Sequence, residues 1–245
     1  MKKLIILLLI GLSLFACSSN KIFKDMPNQQ KMQIADEFFQ AGKYHKAVPY
    51  YESVVMDRTS SHVAEAQVKL ADCYFYQNKF TEALFEYQEF VRLFGDARDI
   101  SRAYFKIGVC YWEDSMNAHY TQEETFKAID AFETFIEKFP FDERKKEAIE
   151  YIQKCHLKLL RKKYYNGYAY YKMWDYPAAL LYFNEIIELG NTNNIDKMSL
   201  YYTARIYISR KDRENAELMQ TKLNAKYPES KETKKINRLI PKKLK

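Results

Sequence analysis

Apolar and polar positions follow the period of amphipathic helices, and one helical pattern recurs along the chain. The pattern starts with a small residue, which is followed three positions later by an aromatic residue and twelve positions later by an alanine. A second aromatic residue comes four positions after the alanine, and an apolar residue comes three positions after that aromatic residue. Spacings of three and four place residues on one helix face. Each copy therefore predicts two helices joined by a tight turn. The first copy is Ala35, Phe38, Ala47, Tyr51 and Val54, and the second is Ala71, Tyr74, Ala83, Tyr87 and Phe90.

Three more copies follow, and the third is stretched. It begins with Gly108 and Tyr111, but its second half arrives eight residues late. Small side chains let two helices cross closely, while an aromatic ring of one helix fills the space beside the crossing. The second half of copy three is Ala128, Phe132 and Phe135; copy four is Gly167, Tyr170, Ala179, Phe183 and Ile186; copy five is Ala204, Tyr207, Ala216 and Leu223, with Gln220 replacing the second aromatic residue.

These spacings resemble the tetratricopeptide repeat, and the five copies cover about residues 30 to 228. The resemblance implies an all-α solenoid in which helix pairs stack on their neighbours around a concave groove. Gly42 and Asn78 stand where the first helices of copies one and two must stop. The alternative is an unrelated helical bundle whose aromatic residues simply fill the core.

A long gap separates copies three and four. It contains a predicted loop, EDSMNAHYTQEET at 113–125, and a helical stretch, DERKKEAIEYIQKCHLKLLRKKYYNGYAYYKMWDYPAAL at 142–180. The stretch either prolongs the first helix of copy four backwards or adds a helix before it. We predict that the enlarged third repeat and the long helix after it pack as a bridge between an N-terminal and a C-terminal half. The predicted domains are the N-terminal repeats one to three, at 30–140, and the long helix with the C-terminal repeats four and five, at 141–230.

The N-terminal residues are typical of a signal peptide. Met1, Lys2 and Lys3 precede an uncharged run from Leu4 to Ala16. This run is shorter than the about 20 apolar residues that a membrane-spanning helix needs. The segment is therefore expected to be removed rather than to span a membrane.

The end of this run resembles the lipobox of bacterial lipoproteins, in the residues Leu14-Phe15-Ala16-Cys17. The resemblance implies a signal peptide at 1–16, lipidation of Cys17, and a lipidated N-terminus with a linker at 17–29. Several acyl chains together hold a protein stably on a bilayer. The alternative is an ordinary signal peptide with an incidental cysteine.

The net charge of +7 is concentrated at the ends of the chain. Lys2 and Lys3 lie in the signal peptide, and the basic tail at 231–245 has seven basic residues against Glu232 alone. The residues between them are nearly neutral, which argues against a nucleic-acid groove on the folded body. We expect the tail to be a solvated, poorly ordered end; contact with an acidic partner or with anionic lipid is the alternative.

The sequence predicts a protein without catalytic activity, cofactor or metal. Its four histidines are scattered and lack paired metal-binding spacing, and no phosphate-binding or nucleophile motif is present. Cys73 and Cys110 fall at equivalent places in successive repeats, whose helices pack about 8–10 Å apart, farther than a disulfide usually spans. Buried free thiols are therefore expected for Cys73, Cys110 and Cys155, even in an exported protein.

Helix geometry identifies candidate residues for a peptide-binding groove. Side chains beside the packing face of the first helices should line the concave surface, and aromatic rings with one acid per helix suit an extended peptide. The alternative for Phe39, Phe75 and Tyr76 is packing between repeats. The candidates are Met32, Asp36, Phe39, Gln40, Val68, Asp72, Phe75 and Tyr76.

The order of these features resembles the BamD family, the lipoproteins of the bacterial β-barrel assembly machine. The likeness runs from Cys17 to about Ser230 and rests on the lipobox, the five repeats, the widened third repeat and the long helix before GYAYYKMWDYPAAL. The short basic tail and the segment ELGNTNNIDK, which lacks a repeat-closing proline, depart from the family pattern.

The resemblance implies an adaptor that is lipid-anchored in the outer membrane and faces the periplasm. Its implied partners are a BamA-type barrel protein, held by the C-terminal repeats, other subunits of the machine, and unfolded outer-membrane proteins, recognised by the N-terminal repeats. It would contact the membrane through its N-terminal lipid and bind no nucleic acid. The alternative is a generic repeat lipoprotein that scaffolds another cell-envelope complex.

Overall fold

A computed structural model describes residues 26–244, and within this range all the regular structure is α-helical. The predicted signal peptide, Cys17 and most of the following linker lie outside the described residues. The helices are α1 (Asn28–Gln40), α2 (Tyr44–Met56), α3 (Val63–Tyr76), α4 (Phe80–Leu93), α5 (Ile100–Asp114), α6 (Glu123–Lys138), α7 (Lys145–Lys172), α8 (Tyr176–Glu188), α9 (Asn194–Ser209), α10 (Arg213–Lys226) and α11 (Lys231–Lys243).

The first ten helices form the five predicted pairs, which confirms the all-α repeat fold. The small residue of each first helix is buried, and so is the second-helix aromatic residue wherever the pattern has one. Tyr51, Tyr87, Phe132 and Phe183 are all 0% exposed. The recurring pattern is therefore the core of each pair.

Two glycines show why the first position of the pattern must be small. A Cβ atom added at Gly108 would lie 2.6 Å from the ring of Phe132, and one added at Gly167 would lie 2.9 Å from the ring of Phe183. Both distances are shorter than a carbon–carbon contact permits. The helices of these two pairs can approach this closely only because the crossing residue has no side chain.

The chain divides into two compact units. The first contains residues up to Ser115 together with Phe126–Ile152, and the second contains Met116–Thr125 and the residues from Gln153 onward. The long stretch before copy four is one continuous helix, α7, so the structure shows prolongation of the first helix backwards rather than an added helix.

The inserted loop of the third repeat is held by hydrogen bonds within the second unit. The Nε2 atom of Gln122 donates to the carbonyl oxygens of Asn117 (2.8 Å), Tyr120 (3.0 Å) and Thr121 (2.9 Å). The ring of His119 stacks on Tyr165 of α7 with 3.9 Å between centroids. The loop is thus packed on α7.

The C-terminal tail is an ordered helix, which corrects the expectation of a poorly ordered end. Ser230 caps α11 by accepting a hydrogen bond from the backbone of Thr233 at 3.1 Å. Thr233, Ile236 and Ile240 are buried against α9 and α10. The tail folds because its few apolar residues share one helix face, a pattern that the high charge concealed.

All three cysteines in the described residues are buried and carry free thiols. Burial raises the pKa of Cys73 and of Cys110 to about 12, and that of Cys155 to about 11. Such thiols are almost entirely protonated at neutral pH and are therefore poor nucleophiles.

One glutamate makes the first unit sensitive to pH. Burial raises the pKa of Glu86 on α4 from 4.5 to about 7, and the nearby charges of Glu52 and Glu89 act in the same direction. An acid whose pKa is raised by folding favours the folded state when protonated. Its contribution to stability is present below the ordinary pKa and is lost as the pH rises through about 7.

We expect Glu86→Gln to flatten the pH dependence of stability and to make the first unit more stable than the native chain above about pH 7. Thermal unfolding followed by circular dichroism on both sides of that pH would measure this. Asp57→Asn in the same unit is the control, because hydrogen bonds from Thr59 and Asn28 lower the pKa of Asp57, and Asp57 is not among the charges that act on Glu86. An unchanged pH profile in Glu86→Gln would contradict the assignment.

Candidate functional site

The eight predicted groove residues lie on α1 and α3 in the first unit, and they differ in accessibility. Gln40 and Tyr76 are exposed, whereas Asp36, Phe39 and Phe75 are partly exposed. Met32, Val68 and Asp72 are 5%, 2% and 6% exposed. These last three pack inside the repeats, so only the other five are accessible to a ligand.

Asp36 is occupied by a contact between the first two repeats. The Tyr51 hydroxyl, from the second helix of the same repeat, donates to its carboxylate at 2.5 Å. The Lys69 ammonium, from the next repeat, donates to both carboxylate oxygens at 2.8 and 3.0 Å. The acid therefore ties three helices together.

Asp72 repeats this arrangement one repeat later. It accepts a hydrogen bond from the buried Tyr87 hydroxyl and two from the Arg102 guanidinium, at 2.7 and 2.9 Å. Burial, together with the Asp72 charge, raises the pKa of Tyr87 well above its usual value. The two acids predicted to line the groove thus make contacts between repeats, because each follows the small residue at the helix crossing.

Aromatic side chains at the C-terminal ends of α1 and α3 and at the starts of α2 and α4 form an accessible surface, here called the aromatic strip: Phe39, Tyr44, Phe75, Tyr76 and Phe80. Tyr44 stacks on Tyr76 with 5.0 Å between ring centroids. Phe39 meets Tyr44 edge-on at 5.4 Å, and Phe75 meets Phe80 edge-on at 5.6 Å. Tyr76 remains 50% exposed. The strip is continuous across repeats one and two.

A lysine from the third repeat adds positive charge to the aromatic strip. The Nζ atom of Lys106 lies 3.7 Å from the ring centroid of Phe75 and 5.8 Å from that of Tyr76. Burial lowers the pKa of Lys106, although nearby Asp72 opposes the change. A cation beside aromatic faces suits a ligand with aromatic or acidic side chains.

The second unit contains a comparable surface that was not predicted from the sequence, here called the tyrosine cradle. It surrounds a cavity of about 300 Å³. The Tyr202 ring lies 5.1 Å from that of Tyr168 and 4.8 Å from that of Tyr171. Trp174 is 78% exposed at the edge. The cradle is lined by Tyr168, Tyr171, Lys172, Trp174, Tyr176, Tyr202 and Arg205.

Arg205 supplies a cation to the cradle. Its guanidinium carbon lies 5.8 Å from the Tyr171 centroid and 5.7 Å from the Tyr201 centroid. Among the residues that the structure describes, no carboxylate pairs with Arg205. The guanidinium is therefore positioned on aromatic faces and can donate hydrogen bonds to a carboxylate of another molecule.

The repeat pattern itself carries a signal for the cradle. The predicted Asp36, Phe39 and Gln40 lie one, four and five positions after the small residue of copy one. The same offsets from Gly167 give Tyr168, Tyr171 and Lys172, and the first offset from Ala204 gives Arg205. The cradle is therefore the counterpart, in copies four and five, of the groove positions predicted in copies one and two.

Trp174 is exposed because of the turn that ends α7. It has a φ of 65°, and the residues at the same repeat position in copies one, two and five, Gly42, Asn78 and Lys211, also have positive φ, at 68°, 58° and 59°. This conformation closes the first helix of a pair. The turn predicted at Gly42 and Asn78 is thus confirmed, and in copy four it carries an indole.

Between residues 26 and 244, no helix is long and apolar enough to cross a membrane. In the same range, no group of three or more His, Cys, Asp or Glu residues is arranged to hold a metal ion.

Solved structures similar to this chain are repeat proteins at low sequence identity. One is the TPR2AB domain of yeast Sti1 in complex with pHSP90, with 13% identity, 87% of this chain and 82% of that chain covered, and a TM-score of 0.47. Another is YrrB, a TPR protein, with 14% identity, coverages of 85% and 90%, and a TM-score of 0.37.

Two curated relatives share a name. The chain is 27% identical over 236 residues to the outer membrane protein assembly factor BamD of Rickettsia prowazekii, covering 94% of this chain and 93% of the relative. It is 20% identical over 189 residues to the BamD of Caulobacter vibrioides, covering 77% of this chain and 62% of the relative. A family model named YfiO and described as outer membrane lipoprotein matches residues 24–188. Since that match spans more than half of the chain, the protein belongs to the YfiO family of outer membrane lipoproteins.

Proposed function

We propose that this protein is a lipid-anchored adaptor that helps fold and insert β-barrel proteins into the outer membrane. The likeness along nearly the whole chain to a relative named as an outer membrane protein assembly factor carries the proposal. The adaptor is held at Cys17 on the periplasmic side of the membrane. It acts by binding proteins, since barrel insertion is driven by apolar burial in lipid and by strand pairing.

We assign substrate binding to the N-terminal repeats at 30–140. The aromatic strip supports this assignment, because its rings contact the side chains of an extended polypeptide of varied sequence, and Lys106 attracts its acidic groups. Exposed Gln40 at the end of α1 offers an amide to the peptide backbone.

We assign binding of the periplasmic domains of a BamA-type barrel protein to the C-terminal repeats at 141–230. The tyrosine cradle supports this assignment, because tyrosine, tryptophan and arginine dominate the binding energy of protein interfaces. An apolar side chain of the partner would enter the cavity beside Trp174, while a carboxylate would pair with Arg205.

Affinity purification tests the proposed function. The full chain with a C-terminal tag is purified from detergent-solubilised envelopes of the source bacterium, and we expect stoichiometric recovery of a BamA-type barrel protein. Recovery of a different envelope complex would instead support a generic scaffold and overturn the proposal. Cys17→Ala is the control for anchoring, and we expect a smaller share of this variant than of the native chain in the membrane fraction.

The cradle can be tested with two single variants. We expect Trp174→Ala and Arg205→Ala each to weaken binding of the BamA-type protein about tenfold, as is common for hot-spot residues. Met173→Ala is the matched control, because Met173 is the neighbouring residue and is 63% exposed. Binding measured with purified partners would contradict the assignment if all three variants matched the native chain.

The aromatic strip is tested in the same way with substrate. We expect Tyr76→Ala to lower affinity for an unfolded outer-membrane barrel protein roughly fivefold, which corresponds to the loss of about one aromatic contact. Phe85→Ala on α4 is the control, because it removes a ring that is 60% exposed and lies outside the strip. Fluorescence anisotropy of a labelled substrate measures the effect, and equal losses in the two variants would argue against the strip.

A further inference from the structure

Helix α11 carries a row of basic residues along its outer face, here called the basic stripe: Lys231, Lys234, Lys235, Arg238 and Lys242. All five are exposed. Their spacings of three and four place them within a sector about 100° wide. With a rise of 1.5 Å per residue, the stripe is roughly 16 Å long.

The opposite face of α11 holds the helix on the second unit. Ile236, Ile240 and Leu244 join the core with residues of α9 and α10. The Arg213 guanidinium also donates to the carbonyl oxygen of Leu244 at 3.1 Å. The stripe is therefore presented on a fixed support, and the apolar face of α11 is not available to insert into another surface.

The charge of the stripe is only weakly compensated. Lys234 pairs with Glu229 at 2.9 Å, but the Glu229 side chain is 89% exposed. Such an exposed ion pair is weak, so Lys234 can leave it for another anion. Glu232, the only acid on α11, pairs with Lys197 at 3.4 Å, outside the stripe. The stripe thus remains a concentration of positive charge on a nearly neutral body.

We propose that the basic stripe binds the surface of a bilayer that contains anionic phospholipids. Four of its five members are lysines, whose mobile, hydrated ammonium groups suit a fluid layer of phosphates better than a fixed pattern of carboxylates. Lysine is depleted at protein interfaces, which favour arginine and aromatic residues. Each basic residue near an anionic surface adds attraction that salt screens.

This contact would be a second attachment beside the lipid at Cys17. The acyl chains implied at Cys17 would already hold the chain on a bilayer, so the stripe would add a contact for the second unit rather than supply the anchor. The stripe would thereby hold the C-terminal repeats near the membrane surface on which the protein is anchored. The inference does not depend on the identity of the protein partners.

The test uses the unlipidated chain from Ser18 onward, because an acyl anchor would bind any vesicle, and this chain keeps every described residue. Co-sedimentation is measured with vesicles of phosphatidylcholine alone and with about 30% phosphatidylglycerol. We expect binding only to the anionic vesicles, with a decrease as ionic strength rises. Equal binding to both vesicles, or none to either, would overturn the proposal.

Two variants of equal net charge locate the contact. The stripe variant changes Lys231, Lys234, Lys235 and Arg238 to glutamine, and we expect it to bind anionic vesicles at least about tenfold more weakly. The control variant changes four exposed basic residues elsewhere, Lys43, Arg98, Arg161 and Lys222, to glutamine. We expect near-native binding for the control.

An equal loss of vesicle binding in both variants would mean that net charge alone is responsible, which would overturn a defined surface on α11. Stripe-dependent binding to soluble poly-glutamate without binding to anionic vesicles would show an acidic protein as the occupant and would also overturn the proposal. Circular dichroism of each variant checks that α11 remains folded, and none of the eight changes removes a buried side chain.

Discussion

Replacing Asp72 by alanine is expected to destabilise the first unit by about 3–5 kcal/mol, because it breaks a buried ion pair by removing one partner. The Arg102 guanidinium would lose both of its hydrogen bonds to this carboxylate, and the fully buried Tyr87 hydroxyl would lose its acceptor. The Tyr87 hydroxyl cannot regain water, whereas Arg102, whose side chain is 29% exposed, keeps only its ion pair with Asp99. The loss therefore exceeds that of a surface ion pair, which contributes about 0–1 kcal/mol.

Urea unfolding followed by tryptophan fluorescence measures this change. The chain has two tryptophans, so a Trp174→Phe background leaves Trp112 as the reporter of the first unit. Asp36→Ala is the matched control, since Asp36 makes the same kind of contacts but its side chain is 32% exposed, against 9% for Asp72. Equal losses of stability in the two variants would show that burial of the carboxylate does not set the strength of these contacts between repeats.

Replacing Phe132 by alanine is expected to cost the first unit about 3–5 kcal/mol, the usual range for a large buried aromatic residue. The ring stacks on Tyr151 at 5.0 Å and lies 5.7 Å from Phe105. It also fills the space beside Gly108, where no side chain can take its place. The cavity would lie at the helix crossing of the third repeat.

Phe126→Ala on the same helix is the control for this experiment. Phe126 is 60% exposed, whereas Phe132 is 0% exposed, so its removal should change stability by less than about 1 kcal/mol. The same fluorescence reporter applies to both variants. A loss in Phe132→Ala no larger than in Phe126→Ala would contradict the role given to the repeat pattern.

The repeat positions were predictable from the sequence because they reflect local geometry. Helix periodicity specifies which residues share a face, and close crossing requires a small residue opposite an aromatic ring. The spacing alone therefore identifies Ala35 and Tyr51 as core partners. The turns at Gly42 and Asn78 were likewise predictable, since a helix end in the left-handed conformation favours glycine or asparagine.

The accessible residues of the candidate site were less predictable. Phe39 and Tyr76, which the offsets from the small residue identified, are accessible, but the offsets did not reveal that Asp72 is buried. The burial of Asp72 involves its contact with Arg102, which lies thirty positions away in another repeat. The expected bridge formed by the long helix stays a prediction, as does lipidation of Cys17.

The sequence by itself determined the helix pairs, their core residues and the family resemblance, because all of these follow from spacings within about forty residues or from motifs read in order. Only the tertiary structure decided which polar side chains are used between repeats, which aromatic residues remain accessible, and that the basic tail folds as α11. These outcomes depend on which side chains meet across helices, and the free energy of burying a charge or an apolar face is decided by those partners.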